Sequence, residues 1–228
     1  MRYSWAFRYR LVREGIHNSL AELRPEKAGR VLDIGCGHRP YRELFPGSQY
    51  LGMDMPVSYG EGSSPDAWAS AAALPFADGS FDCVVCTEVL EHLEDPARAV
   101  NEMRGVLRPG GCLLLSSPFI WPLHEQPRDF LRYTRFGLES LLMENGLEVV
   151  ATIKRGGFWS VMVQLASDRF YPVGRKCRTI TALNDRLWGL LQWAAWKCDQ
   201  KSNDDNYALG WTVKAVKPGK GTGEKGKG

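Results

Sequence analysis

The chain has 228 residues, 44% hydrophobic and 24% charged, which suits one large domain with a proper core and excludes wholesale disorder or a fibrous architecture. Its formal charge of +3 hides a division: residues 31–153 carry eight Arg, no Lys and seventeen acids, a net of −9, between basic flanks of +4 (1–30), +5 (154–216) and +3 (217–228). An acidic centre argues against a nucleic-acid-binding core, because phosphates demand a basic footprint.

Residues 3–24 read as an amphipathic helix or helix pair, with Gly15 as the break. Met1–Gly15 has Arg at 2, 8, 10 and 13 and no apolar run, so no signal peptide is expected. Arg30–Ile34 is a buried strand ending in the turn Gly35-Cys36-Gly37. Pro40 suits the first turn of a helix over Tyr41–Phe45. Gln49–Met53 is the second strand, with Asp54 directly after it, and Ala67–Ala73 is a short strand or a loop. A strand over Phe81–Cys86, a helix over Pro96–Leu107 and a turn at Gly110-Gly111 lead into the strand Cys112–Ser116. Thr134 caps a helix through Asn145, stopped by Gly146, and Leu147–Ile153 is a further strand. Strands alternating with helices predict a doubly wound α/β fold, its mostly parallel sheet covered on both faces.

After Arg155 the pattern changes. Residues 156–206 hold four of the eight Trp and two helix-like segments before a last strand, Ala208–Val216. An excursion of that length needs structure of its own. The predicted organisation is an N-terminal helical lid (1–29), a core (30–155), a helical aromatic and basic insertion (156–206), the final core strand (207–217) and a disordered Gly/Lys tail (218–228). No apolar stretch reaches the roughly 18 residues a membrane-spanning helix requires.

Six cysteines stand at 36, 83, 86, 112, 177 and 198. Cys83-Val-Val-Cys86 has redox or zinc spacing, but residues i and i+3 of a strand face opposite sides and cannot share a ligand. The two thiols read as core, no metal site is expected, and the compartment is expected to be reducing, hence the cytoplasm.

The first stretch with chemistry is Val31–Gly37. A strand running into Gly-x-Gly lets backbone amides approach a ligand at the carboxyl end of a sheet. A nicotinamide fingerprint would want a third Gly at position 40, where Pro40 stands. Asp33 places negative charge where a pyrophosphate would lie, which repels phosphate and suits a cation. Asp54, 19 residues after Gly35, is placed as an acid that binds both ribose hydroxyls. The plainer alternative is a pair of solvated acids at strand ends.

Four stretches in order, VLDIGCG, GMD, ALPFADGSFDCVVCTEVLEHLEDP and LRPGGCLLLSSP, resemble the Rossmann-like (class I) S-adenosylmethionine-dependent methyltransferases, most closely the branch with the LPF…D.SFD…EVLEH signature. The resemblance covers about residues 30–153 and the last strand. It implies a seven-stranded sheet whose last strand is antiparallel, and S-adenosylmethionine as cofactor. On this likeness Gly35, Cys36 and Gly37 wrap the cofactor, Asp33 lies near its amino group, and Asp54 holds the ribose with Met55 beside it. Thr87 and Glu88 pass under the methionine portion. Ser70 stands where members often carry an adenine-binding Asp, so the Ser70 hydroxyl and Ala71 amide take that place, with Asp66 displaced. The cofactor is a net cation, which an acidic domain attracts.

Acceptor groups are expected on loops leaving the fourth and fifth strands. Between Pro118 and Thr134, His124, Glu125, Asp129, Arg132 and Tyr133 fall within ten residues. His124 is the candidate base, with Asp129 or Glu125 to orient it, and Trp121, Arg132 and Tyr133 are candidate acceptor-binding residues. Alternatively, Asp129–Arg132 is a structural ion pair and Thr134 only a cap. His92 reads as a structural hydrogen-bonder beside the cofactor. The string HEQPRDFLRYT resembles one that recurs in methyltransferases of glycan and secondary-metabolite pathways. Phe158, Trp159, Trp188, Trp193 and Trp196 with Arg169, Arg175, Lys176 and Arg178 suit either an interfacial surface or a stripe packing the lid.

The expectation is methyl transfer to an O or N atom of a small-molecule, saccharide or lipid-linked acceptor. Peripheral membrane contact fits that expectation, and nucleic acid does not. The alternatives are a non-catalytic cofactor-binding protein of the same fold and an NAD-dependent oxidoreductase, the latter disfavoured by Pro40 and Asp33.

Overall fold

The computed structural model describes residues 9–55, 65–170, 178–202 and 204–219, with the backbone alone for 178–182. Arg175 and Lys176, the Arg178 side chain and most of the Gly/Lys tail lie outside the described residues.

Seven strands form one sheet: β1 (Arg30–Ile34), β2 (Gln49–Asp54), β3 (Ala67–Trp68), β4 (Phe81–Thr87), β5 (Leu107–Pro118), β6 (Glu148–Arg155) and β7 (Gly210–Val216). Their order is β3-β2-β1-β4-β5-β7-β6. Strands β1 to β5 pair in parallel, and β7 runs antiparallel between β5 and β6. The doubly wound, mostly parallel sheet with its antiparallel last strand is therefore present.

Strand alternation divides the core. Leu32, Ile34, Val84, Cys86, Leu113 and Leu115 face one side, under α2 (Pro96–Val106) and α3 (Arg135–Glu144). Val31, Cys83, Val85, Cys112 and Leu114 face the other, where α1 (Arg10–Leu23) buries Ile16, Leu20 and Leu23. Cys83 and Cys86 thus lie on opposite faces, as the period of two dictates. Two helices, α4 (Phe158–Phe170) and α5 (Arg178–Asp199), make up the insertion. Asp199, at the end of α5, accepts from the Gly157, Trp159 and Ser160 amides at 2.9, 3.0 and 2.9 Å. One carboxylate therefore satisfies three orphan donors at the start of α4 and fastens the helix pair at its base.

Some boundaries differ from the sequence reading. Helix α1 runs unbroken through Gly15, where a side-chain carbon would sit 3.7 Å from Arg155 Cβ; the residue packs the helix onto the sheet. The helix read over Tyr41–Phe45 is a single 3-10 turn, Arg42–Leu44. Strand β5 begins at Leu107 rather than Cys112, its first residues pairing with Phe81 before a register shift. Thr134 does cap α3, accepting from the Gly137 amide at 3.1 Å.

Candidate active site

The carboxyl ends of β1, β2, β4 and β5 and the loops leaving them converge on one edge of the sheet. At the end of β1 the chain turns through Gly35 (φ +70) and Gly37 (φ +48), both in the left-handed region that glycine enters without strain. The two glycines differ in what surrounds them. A methyl on Gly35 would overlap Val89 Cγ2, so this loop packs directly on the loop after β4. A methyl on Gly37 would meet nothing within 4 Å. That space is a cradle a ligand can enter against bare backbone.

Between them Cys36 is turned inward, 2% exposed, with its Sγ where a side chain on Gly52 would stand. Burial pushes the thiol up to about 12, so Cys36 offers the loop its backbone and no nucleophile. Asp54, 4% exposed, accepts from the Gly37 amide at 2.9 Å and from the Met55 amide at 2.8 Å. Each oxygen keeps a second lone pair, so the carboxylate shapes the loop and can still receive ribose hydroxyls.

Asp33 is 1% exposed, and Tyr50 donates its hydroxyl to it at 2.5 Å. Burial raises this carboxyl to about 7 against the lowering effect of the Tyr50 bond. Its other oxygen has no hydrogen-bond partner, as suits a group awaiting a donor.

Glu88, expected under the methionine portion, sits at φ +53 and turns toward the sheet. Its Oε1 accepts from Arg155 Nη2 and Ser116 Oγ, both at 2.7 Å. Thr87, the other expected residue, is buried at the end of β4. Asp66 accepts from the Gly52 amide at 2.8 Å and from Arg39 at 3.0 Å, which braces β2. The Ser70 hydroxyl accepts from the Ala72 amide at 3.2 Å, and Ala71 is buried beside it.

On the acceptor side, the Phe130 amide donates to Glu91 O at 2.8 Å, and His92 Nδ1 lies 2.6 Å from Arg128 O. These bonds join the loops after β4 and β5. Arg132 uses all five N–H groups within its own loop: Nε toward Trp121 O, Nη1 toward Asp129 Oδ1 and Leu131 O, Nη2 toward Asp129 Oδ2 and Pro122 O. Arg132 therefore organises this loop.

The grip holds Asp129 at about 2, well below the usual carboxylate value. Asp129 in turn accepts from the His124 amide at 2.9 Å and lies 3.3 Å from His124 Nδ1. With Arg132 Nη2 at 3.4 Å already committed elsewhere, the carboxylate is the acceptor for Nδ1–H, which leaves the Nε2 lone pair toward the site. Glu125 does not orient His124; its carboxylate lies 3.7 Å from His92 Nε2. Glu91 was not singled out in the sequence. It is fully buried, with Oε1 at 3.8 Å from His92 Nε2 and 3.9 Å from His124 Nε2; the signal was its position beside His92 in EVLEH.

A cleft of about 430 Å³ opens beside His124, between Trp121, Pro122 and Leu123, Tyr9 from the N-terminal segment, and Leu165, Asp168 and Arg169 of α4. A second, of about 520 Å³, lies between α1 and the insertion helices, with Arg155 among its walls. Tyr133 packs against the core, and burial raises its phenol to about 12.

Strand order and the antiparallel β7 define the class: this is the fold of the class I methyltransferases. Residues 32–115 match the methyltransferase domain family. The chain is 40% identical over 94 residues to an uncharacterised methyltransferase of Mycobacterium sp. (strain JLS), covering 38% of this chain and 37% of that one. It is 31% identical over 140 residues to the ubiquinone biosynthesis O-methyltransferase of Pseudomonas aeruginosa (strain LESB58), covering 51% and 55%. Among solved structures, a SAM-dependent methyltransferase from Thermotoga maritima superposes with a TM-score of 0.59 at 16% identity over 93% of each chain. The chain thus spans about a third to a half of the curated relatives it matches, and the likeness to the solved structure is one of fold.

Proposed function

We propose that the protein transfers a methyl group from S-adenosylmethionine to an oxygen or nitrogen of a small-molecule, saccharide or lipid-linked acceptor. The observation that carries this reading is the open space over Gly37, whose amide Asp54 holds. The residues present fit the cofactor: an open backbone cradle, a ribose-type carboxylate, and an unpaired Asp33 oxygen suited to an ammonium group.

Bound there, the cofactor supplies an electrophilic methyl on a sulfonium. The chain's own part is positioning and proton handling. The Gly35–Gly37 backbone and Asp54 orient the nucleoside portion. Burial of the strand ends excludes water. His124 Nε2 takes the proton of the acceptor, and Asp129, held ionised by Arg132, stabilises the resulting imidazolium. Trp121 beside His124 offers a flat apolar wall to the acceptor.

Tyr9 and α4 both line this cleft, which supports the N-terminal segment and the insertion as an acceptor lid. Trp188 is buried and packs the insertion, whereas Leu183, Leu187, Leu190 and Trp193 form an exposed apolar stripe on α5. That stripe supports a lipid-linked acceptor and peripheral contact with a membrane. Among the described residues no helix is long and apolar enough to cross one. The described cysteines are free thiols, four of them buried.

Turnover of S-adenosylmethionine over a fractionated metabolite pool tests the reading. The wild type should form the demethylated product with one fraction, and His124→Ala should not. Cofactor binding without turnover in any fraction would favour a non-catalytic cofactor-binding protein.

A further inference from the structure

Glu91, His92 and His124 place three donor atoms within 4.8 Å of one another. Glu91 is 0% exposed, and neither carboxylate oxygen has a hydrogen-bond partner. A buried carboxylate without partners is costly in either protonation state. Protonation does not satisfy it here, since the nearest imidazole nitrogens stand at 3.8 and 3.9 Å. A positive charge between the three groups would.

Both imidazoles are aimed for that task. His92 Nδ1 faces the Arg128 carbonyl, an acceptor only, so Nδ1 carries the proton and the Nε2 lone pair points at Glu91. His124 is set the same way by Asp129, which Arg132 fixes through both terminal nitrogens. A histidine whose second nitrogen donates to a carbonyl or carboxylate is the usual outer-shell arrangement of a metal ligand. Glu125 brings a further carboxylate to 3.7 Å from His92 Nε2, from the more exposed side.

We propose that Glu91, His92 and His124 bind a divalent transition-metal cation, with Glu125 as a fourth donor at the rim. Two imidazoles with one or two carboxylates suit manganese, iron(II), cobalt or zinc and are a poor match for calcium, which takes oxygen ligands. A cation at about 2.1 Å from each donor needs donor separations of about 3.0–3.5 Å. The donors stand within 4.8 Å of one another, so binding would draw the two imidazoles inward.

The consequence for chemistry rests on the methyl-transfer reading. With the cation bound His124 Nε2 would be a ligand and would act as the acceptor's base only in the metal-free chain; a hydroxyl of the acceptor beside the cation would instead lose its proton to solvent more readily. The oxygen lone pair then forms the O–CH3 bond, and the C–S bond breaks with its pair staying on sulfur, leaving a neutral thioether. The acceptor class narrows to hydroxyl compounds.

The test is titration of the tag-free chain, stripped with chelator, with Mn²⁺ followed by electron paramagnetic resonance and with Zn²⁺ by competition against a dye. Wild type should show one class of tight sites. His124→Ala, at a half-exposed position that tolerates change, and the isosteric Glu91→Gln should weaken binding at least about tenfold with unchanged circular dichroism; Asp129→Asn should weaken it about tenfold through His124. Absence of binding of both ions, or unchanged affinity in His124→Ala, overturns the site. Calorimetry with S-adenosylmethionine runs separately. Metal bound without cofactor would refute the methyl-transfer reading alone, and cofactor bound without metal would refute the metal site alone.

Discussion

Arg132 holds Asp129 through two terminal nitrogens, Nη1 on Oδ1 at 2.6 Å and Nη2 on Oδ2 at 2.7 Å. The Asp129 side chain is 1% exposed and that of Arg132 21%, so solvent screens this bidentate pair only in part. Its folded value of about 2 lies below the ordinary 3.8. The resulting stability is fully present above pH 4 and is lost as pH falls from about 4 to 2, amounting to about 2 kcal/mol. Asp129→Asn should flatten the acid limb of a stability-versus-pH curve in that window. It should also lower midpoint stability at neutral pH by about 1–3 kcal/mol, because Arg132 loses its counter-charge. A chemical-denaturation series between pH 2 and 7 reads both effects.

Asp33 should behave in the opposite sense. Its folded value, about 7, lies above the ordinary 3.8, so the folded state binds the extra proton between those values. Stability therefore falls as pH rises from about 4 to 7 and levels off beyond. Asp33→Asn keeps an acceptor for Tyr50 and removes the buried charge. It should stabilise the protein at pH 7.5, by about 2–4 kcal/mol, while weakening cofactor binding. Thermal melts at pH 5 and 7.5 check this, and a variant less stable at pH 7.5 would contradict it.

The sheet and its strand-end acids were legible in the sequence because the signals are local. A five-residue strand with three apolar side chains, two glycines and an acid after the next strand lie within about twenty-five positions. Glu91 and Arg155 were not. Glu91 looks like a surface charge between Leu90 and His92 until the Phe130 loop folds over it. Arg155 pairs with Glu88 across 67 positions, a relation no window detects. Gly15 was misread for a related reason: its packing partner is Arg155, on β6. Glu125 was grouped with His124 as its chain neighbour, but φ +51 at that residue swings its carboxylate to His92.

The two glycines of the cradle separate folding from binding. Gly35→Ala combines a left-handed backbone with overlap against Val89 and should destabilise by more than about 2 kcal/mol. Gly37→Ala meets no atom within 4 Å and should cost about 1 kcal/mol. The added methyl occupies the ligand's space, so cofactor affinity should drop much further than stability. Equal losses of affinity and stability in Gly37→Ala would remove the cradle from the account.

Asp199 offers a test of the insertion by itself. It satisfies three amides at the start of α4, and Asp199→Ala should loosen that helix by about 1–2 kcal/mol. Hydrogen exchange should rise at residues 157–161 and leave β1 and β4 protected.

Calorimetric titration with S-adenosylmethionine and, in parallel, with NAD tests the central claim most directly. The account predicts saturable binding of S-adenosylmethionine, weakened at least about tenfold in Asp54→Ala by loss of the ribose carboxylate, and no binding of NAD. Binding of NAD with none of S-adenosylmethionine would contradict it.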